Sequence, residues 1–152
     1  MIDTELATFL QEGVGIHIAS RNAALEPNGS RALAVKVDAD GRHLEVYLAK
    51  VAAARIIQDL QSNGQAAVGF GRPVDDRSCQ VKGLFLGVRD ATDEERPFIT
   101  GQWERFLGNL EKIGIPRAAT RAWITWPVVA IRLRPNAIFD QTPGPGAGAP
   151  IA

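Results

Sequence analysis

The sequence predicts an α+β fold, an antiparallel β-barrel with helices at its ends. Three observations carry this. Six segments read as strands, and three place apolar residues at helical spacing. The order helix, three strands, helix, two strands, helix, strand lacks the regular βα alternation of a doubly wound sheet. At 152 residues the chain has the length of one ordinary domain and can bury a core without disulfides.

Asp3 or Thr4 caps a short first helix to about Gln11, with Leu6, Phe9 and Leu10 on its apolar face and Gly13 and Gly15 ending it. Val14, Ile16 and Ile18 then alternate with Gly15, His17 and Ala19, the pattern of a half-buried strand. A loop follows through Pro27, Asn28 and Gly29. Arg31 to Asp38 alternates again as one strand, with Leu33, Val35 and Val37 on one face. The turn residues Ala39-Asp40-Gly41 join it to Leu44, Val46 and Leu48, which makes a β-hairpin.

Lys50 to Ser62 carries Ala53, Ile56, Ile57 and Leu60 at helical spacing, and Asn63-Gly64 is its stop signal. Gln65 to Gly71 and Ser78 to Arg89 read as a second antiparallel pair across a loop with Pro73, Asp75 and Asp76. Thr92 or Asp93 starts a long helix that tolerates Pro97 in its first turn, buries Phe106, Leu107, Leu110 and Ile113, and stops at Gly114 to Pro116. Trp123 to Leu133 is the last strand, with Pro127 implying an edge or a bulge. The chain divides into a folded domain over residues 1–140 and a Pro/Gly-rich arm over 141–152 that is expected to be irregular.

Lys plus Arg equals Asp plus Glu at 17 each, so no overall basic field recruits nucleic acid or an anionic membrane. No apolar run reaches the roughly 20 residues that span a bilayer. The opening MIDTELATFLQEG lacks the basic start and apolar core of a signal peptide, which predicts a cytoplasmic protein. Cys79 is the single cysteine, and His17 and His43 lie far apart, so no recognised zinc spacing exists. Neither Ser78 nor Cys79 sits in a nucleophile motif. The glycines of Gly69-Phe70-Gly71 and of the tail match no phosphate-loop pattern.

What remains is a set of cations. Arg31 and Lys36 bracket the second strand, Arg55 lies in the early turns of the middle helix, and Lys82 lies beside Gln80 on a later strand. Each alone reads as a solvated surface charge, but guanidinium forks together suit a phosphate dianion. Trp103, Trp123 and Trp126 read as core packing, His17 as a hydrogen-bonded structural residue, and Arg21 as a loop charge.

The stretch Arg31-Ala-Leu-Ala-Val-Lys36, then Asp40-Gly41, Val46-Tyr47, Arg55, Asn63 and Gln80-Val81-Lys82-Gly83 resembles the pyridoxamine 5'-phosphate oxidase-like family of FMN-binding split barrels. The likeness covers about Gly13 to Gly87. It implies an α+β fold, a six-stranded antiparallel split β-barrel with flanking helices, binding FMN. It assigns Arg31, Lys36, Tyr47, Arg55 and Gln80 to the cofactor, and Lys82 joins them as a further cation, with the cations at the phosphate and Gln80 at the ring or ribityl chain. It also implies a homodimer with flavins at the subunit interface, acting on NAD(P)H or a small organic redox substrate. Where the family has Ser-Arg-Lys this chain has Ala54-Arg55-Ile56, with Lys82 available to compensate, and the oxidase's C-terminal Trp and Arg pattern is missing. The competing expectations are a split barrel that holds haem, a deazaflavin or flavin without turnover, and a ligand-free dimeric interaction protein.

Overall fold

The computed structural model describes residues 1–120 and 123–151. The elements run α1 (Thr4–Gln11), β1 (Gly15–Arg21), β2 (Pro27–Ala32), β3 (Ala34–Val37), β4 (Leu44–Ala49), α2 (Lys50–Asn63), β5 (Gln65–Gly71), β6 (Ser78–Asp90), α3 (Arg96–Lys112) and β7 (Val128–Asp140). All strand pairs are antiparallel, in the order β2-β1-β5-β6-β7-β4-β3. The α+β class and all three helices agree with the sequence reading. The strand count does not: the sheet has seven strands, and its ladder does not close.

The seventh strand arises where one was expected to run from Arg31 to Asp38. Ala32, Leu33, Ala34 and Val35 are all buried, so the chain cannot keep one side to water there. Instead it passes between two cores. Ala32 and Val35 face the barrel interior, whereas Leu33 and Ala34 pack with Tyr47, Trp103, Phe106 and Leu110 beneath α3. The Leu33 N–H leaves the strand line and donates to Tyr47 O at 2.7 Å. As a result β2 and β3, joined by this one residue, occupy opposite edges of the sheet. The expected loop at Pro27 to Gly29 is part of β2, registered against Arg21, Ser20 and Ala19.

The last strand also differs from expectation. It begins after Pro127 and runs on to Asp140, tolerating Pro135 at a register shift between Lys82 and Gly83 of the facing strand. The Pro/Gly arm is not loose: Ile151 N–H donates to Ile138 O at 2.8 Å, and Pro150 bridges Phe139. The exposed edge of β3 is covered from α3, where the buried Gln102 side chain accepts from Val35 N–H (3.0 Å) and donates to Val35 O (2.7 Å). Gly41 at φ +66° closes the β3–β4 turn against Ile2, whose carbonyl leaves no room for a Cβ. Among the described residues no helix is long and apolar enough to cross a membrane.

A charged cluster pins the start of α3 to the sheet. All five donors of Arg89 are used, on the carboxylates of Glu45 and Glu95 and on Asp90 O. Thr92 and Glu95 form a capping box, and Tyr47 Oη donates to Glu95 at 2.7 Å. The hydrogen bonds from Arg89 hold the Glu95 carboxyl at about 2, against an ordinary 4.5. A depressed carboxyl contributes stability that is complete above about 4.5 and is lost as pH falls toward about 2. Glu95→Gln is therefore expected to flatten the stability profile across that window, read from denaturant midpoints at a series of pH values. An unchanged slope would place the acid sensitivity elsewhere.

Candidate functional site

Hydrogen-bond register places one row of residues straight across five strands. Arg31 of β2 pairs with His17 of β1, His17 with Gly69 of β5, Gly69 with Gln80 of β6, and Gln80 with Phe139 of β7. Neighbouring strands lie about 4.8 Å apart, so His17 and Gln80 stand about 9.5 Å from each other with only a glycine between them. A Cβ built on Gly69 would meet nothing within 4 Å, so the floor there is open. His17, Arg31, Gly69 and Gln80 line a cleft of about 540 Å³, walled at one end by Phe106 and Leu110 of α3.

The sheet face carrying this row is small and free of acid. The positions of β1, β5 and early β6 that point away from the barrel core are Gly15, His17, Ala19 and Arg21; Gln65, Ala67, Gly69 and Gly71; and Ser78, Gln80 and Lys82. None is a carboxylate. The sequence signal was period-two spacing of Gly and Ala, which leaves a strand face with little side chain above its backbone.

Arg31 is half-buried, and its guanidinium carbon lies 4.4 Å from the Trp123 ring centre and 5.7 Å from that of Phe106. Among the described residues its guanidinium has no carboxylate or hydrogen-bond partner. Burial lowers its pKa, the mark of a cation short of compensation. Burial first, and the Arg31 charge second, also lower the pKa of His17. His17 thus faces the cleft as a neutral imidazole at neutral pH, with one nitrogen donating and one accepting.

Of the six residues expected at a cofactor, Arg31 and Gln80 share this cleft, and Lys82 lies two residues from Gln80 on the same face with its Nζ 5.1 Å from the Phe139 ring centre. The others lie elsewhere. The turn at Leu33 carries Lys36 onto the far edge strand, opposite Glu45. Arg55 is exposed on α2 with Glu26 at 4.0 Å. Tyr47 is fully buried, its hydroxyl held between Glu45 and Glu95, and burial foremost raises its pKa well above the ordinary value. His17, Gly69 and Phe106 were missed, because their meeting depends on register and on α3. Trp103 is core as expected, but Trp123 is 39% exposed and lies against Arg31. Cys79 is buried, which pushes its thiol up to about 12.

Two outcomes follow. Arg31→Gln removes one of the two causes that depress His17, so the His17 imidazole pKa should rise in an NMR titration. An unmoved value would show that the two groups do not sense each other. The native Cys79 thiol should resist alkylation up to about pH 10 and react on denaturation. Rapid native labelling would contradict its burial.

No protein-family model and no curated protein matches the sequence. Solved structures do match. An F420 reductase aligns at 19% identity with TM-score 0.54, covering 86% of this chain and 93% of the other. A candidate pyridoxamine 5'-phosphate oxidase from Lactobacillus delbrueckii aligns at 12% identity with TM-score 0.56, covering 90% and 92%. An FMN-binding protein from Syntrophomonas wolfei aligns at 12% identity with TM-score 0.54, covering 91% and 87%. The chain therefore has the fold of the pyridoxamine 5'-phosphate oxidase-like split barrels, built here as a seven-stranded open antiparallel sheet with three helices.

Proposed function

We propose that this chain is a flavin-type redox protein that holds FMN on the outer face of β1, β5 and β6. The observation that carries the reading is the half-buried Arg31, without a counter-anion among the described residues, beside an open glycine floor about 9.5 Å wide. A planar ring stacks on such a floor where any larger side chain would lift it. Bound there, the flavin supplies the redox chemistry and the protein supplies position and charge. Arg31 compensates negative charge on the ligand, Gln80 offers both a donor and an acceptor to its polar edge, and Phe106 with Leu110 excludes water from one end. Nicotinamide nucleotide or a small organic molecule is the redox partner. The protein works in the cytoplasm, where Cys79 stays reduced.

We further propose a homodimer, supported by the exposed Val51, Leu86 and Val88. Lys36 and Arg55 line no part of the cleft in their own chain, so they would reach a ligand only across such an assembly. Light scattering during size exclusion reads the dimer, and a monomer at all concentrations removes it.

The test of the ligand is direct. The purified protein should copurify with a yellow chromophore or take up FMN with a rise in Tm, as expected for a native-state ligand. Arg31→Met should weaken FMN by about tenfold or more, the scale of one charge-assisted contact. Arg55→Ala should change it far less. Released haem or deazaflavin, identified by mass, would replace FMN, and an unshifted Tm with every chromophore would end the reading.

A further inference from the structure

A second cleft, of about 600 Å³, opens on the same sheet face beyond the first, lined by Arg21, Lys82, Gln65, Asn136 and Asn63 over a floor of Ala19 and Ala67. Its two cations are not neutralised. Among the described residues neither Arg21 nor Lys82 makes an ion pair; Arg21 reaches only the carbonyl of Asn22, at 3.5 Å, and Lys82 lies over Phe139. The nearby acids are committed elsewhere. Glu26 is held by Asn22 at 2.6 Å and faces Arg55, and Asp59 is buried under the sheet, where it accepts from Ser20 Oγ at 2.8 Å.

The backbone that carries Arg21 is held in place. Asn63 Nδ2 donates to Arg21 O at 2.6 Å and to Asp59 O at 2.9 Å, which ties the end of β1 to the end of α2. Along the strands, Lys82 is two residues from Gln80 and Arg21 four from His17, or about 7 and 14 Å from the Gly69 row. Ala19 and Ala67 leave the path between the two clefts low.

We propose that this second cleft is a phosphoester subsite, with Arg21 and Lys82 as its cations and the Gln65 and Asn136 amides as its neutral donors. Two positive groups beside amide N–H donors suit a compact dianion better than a single carboxylate. The phosphoester belongs either to the ligand whose ring occupies the first cleft or to a nucleotide redox partner. Only that assignment of source rests on the flavin reading; the charges and the cleft stand without it.

Calorimetric titration of the full chain with inorganic pyrophosphate at low salt tests the subsite. The wild type should bind, and the double variant Arg21→Gln, Lys82→Gln should lose about tenfold or more, the loss expected for charge-assisted contacts. Arg42→Gln, at the exposed β3–β4 turn away from both clefts, should retain the wild-type affinity. Both substituted positions are exposed, so an unchanged Tm shows that the fold is kept. Comparison of FMN with riboflavin, and a separate titration with ADP, identify the source. A double variant that erases the advantage of FMN over riboflavin assigns the subsite to the cofactor's phosphate. One that weakens ADP and spares that advantage assigns it to a nucleotide partner. Pyrophosphate binding without any flavin binding would keep the subsite and remove the flavin reading. No pyrophosphate binding by the wild type, or equal binding by the double variant, would overturn the proposal.

Discussion

The antiparallel ladder that runs β2-β1-β5-β6-β7 fixes which side chains can meet on the open face of this protein. Backbone hydrogen bonds set the register, and register alone brings Arg31, His17, Gly69, Gln80 and Phe139 into one line from five separate segments. A slip of one residue in any strand would turn its members into the barrel core and bring apolar side chains outward. Burial of Ile16, Ile18, Val68 and Val81 on the inner side therefore holds the outer side in place.

Electrostatics divides the molecule into two unlike regions. Near the start of α3, charge is saturated: Glu45 and Glu95 share Arg89, Asp38 takes Arg132 at 2.6 Å, and Tyr47 fills the gap between carboxylates. These contacts fasten elements together and leave little unmet demand. On the face of β1, β5 and β6 the opposite holds, with Arg31, Lys82 and Arg21 set among glycines, alanines and amides. Arg31, a half-buried cation that costs desolvation and receives no internal partner among the described residues, fits a ligand better than a structural role.

Much of the fold was legible in the sequence. Helical periodicity and capping signals placed α1, α2 and α3, and Asn63-Gly64 and Asp40-Gly41 marked their stop and turn. Alternation failed at Leu33, because a segment buried on both sides by two different cores has no polar phase to read. It failed again at β7, which was expected to end at Leu133 but runs on to Asp140, with Pro135 absorbed at a register shift. The site was harder. Arg31 was found among the cations by its chemistry and Gln80 through the family resemblance, but Arg31 and Lys36 were joined by a strand that the structure breaks. Gly69 carries no chemical signal of its own, and its importance appears only when its two strand partners are known.

The proposed flavin site places a planar ligand on the open floor at Gly69. Gly69→Leu tests it most directly, since a side chain there has clear space and leaves the barrel core untouched. Titration of this variant with FMN, beside its thermal unfolding, gives the answer. The expected outcome is a folded protein with Tm close to that of the wild type and FMN binding abolished. A folded variant that binds FMN as tightly as the wild type would remove the ligand from this floor.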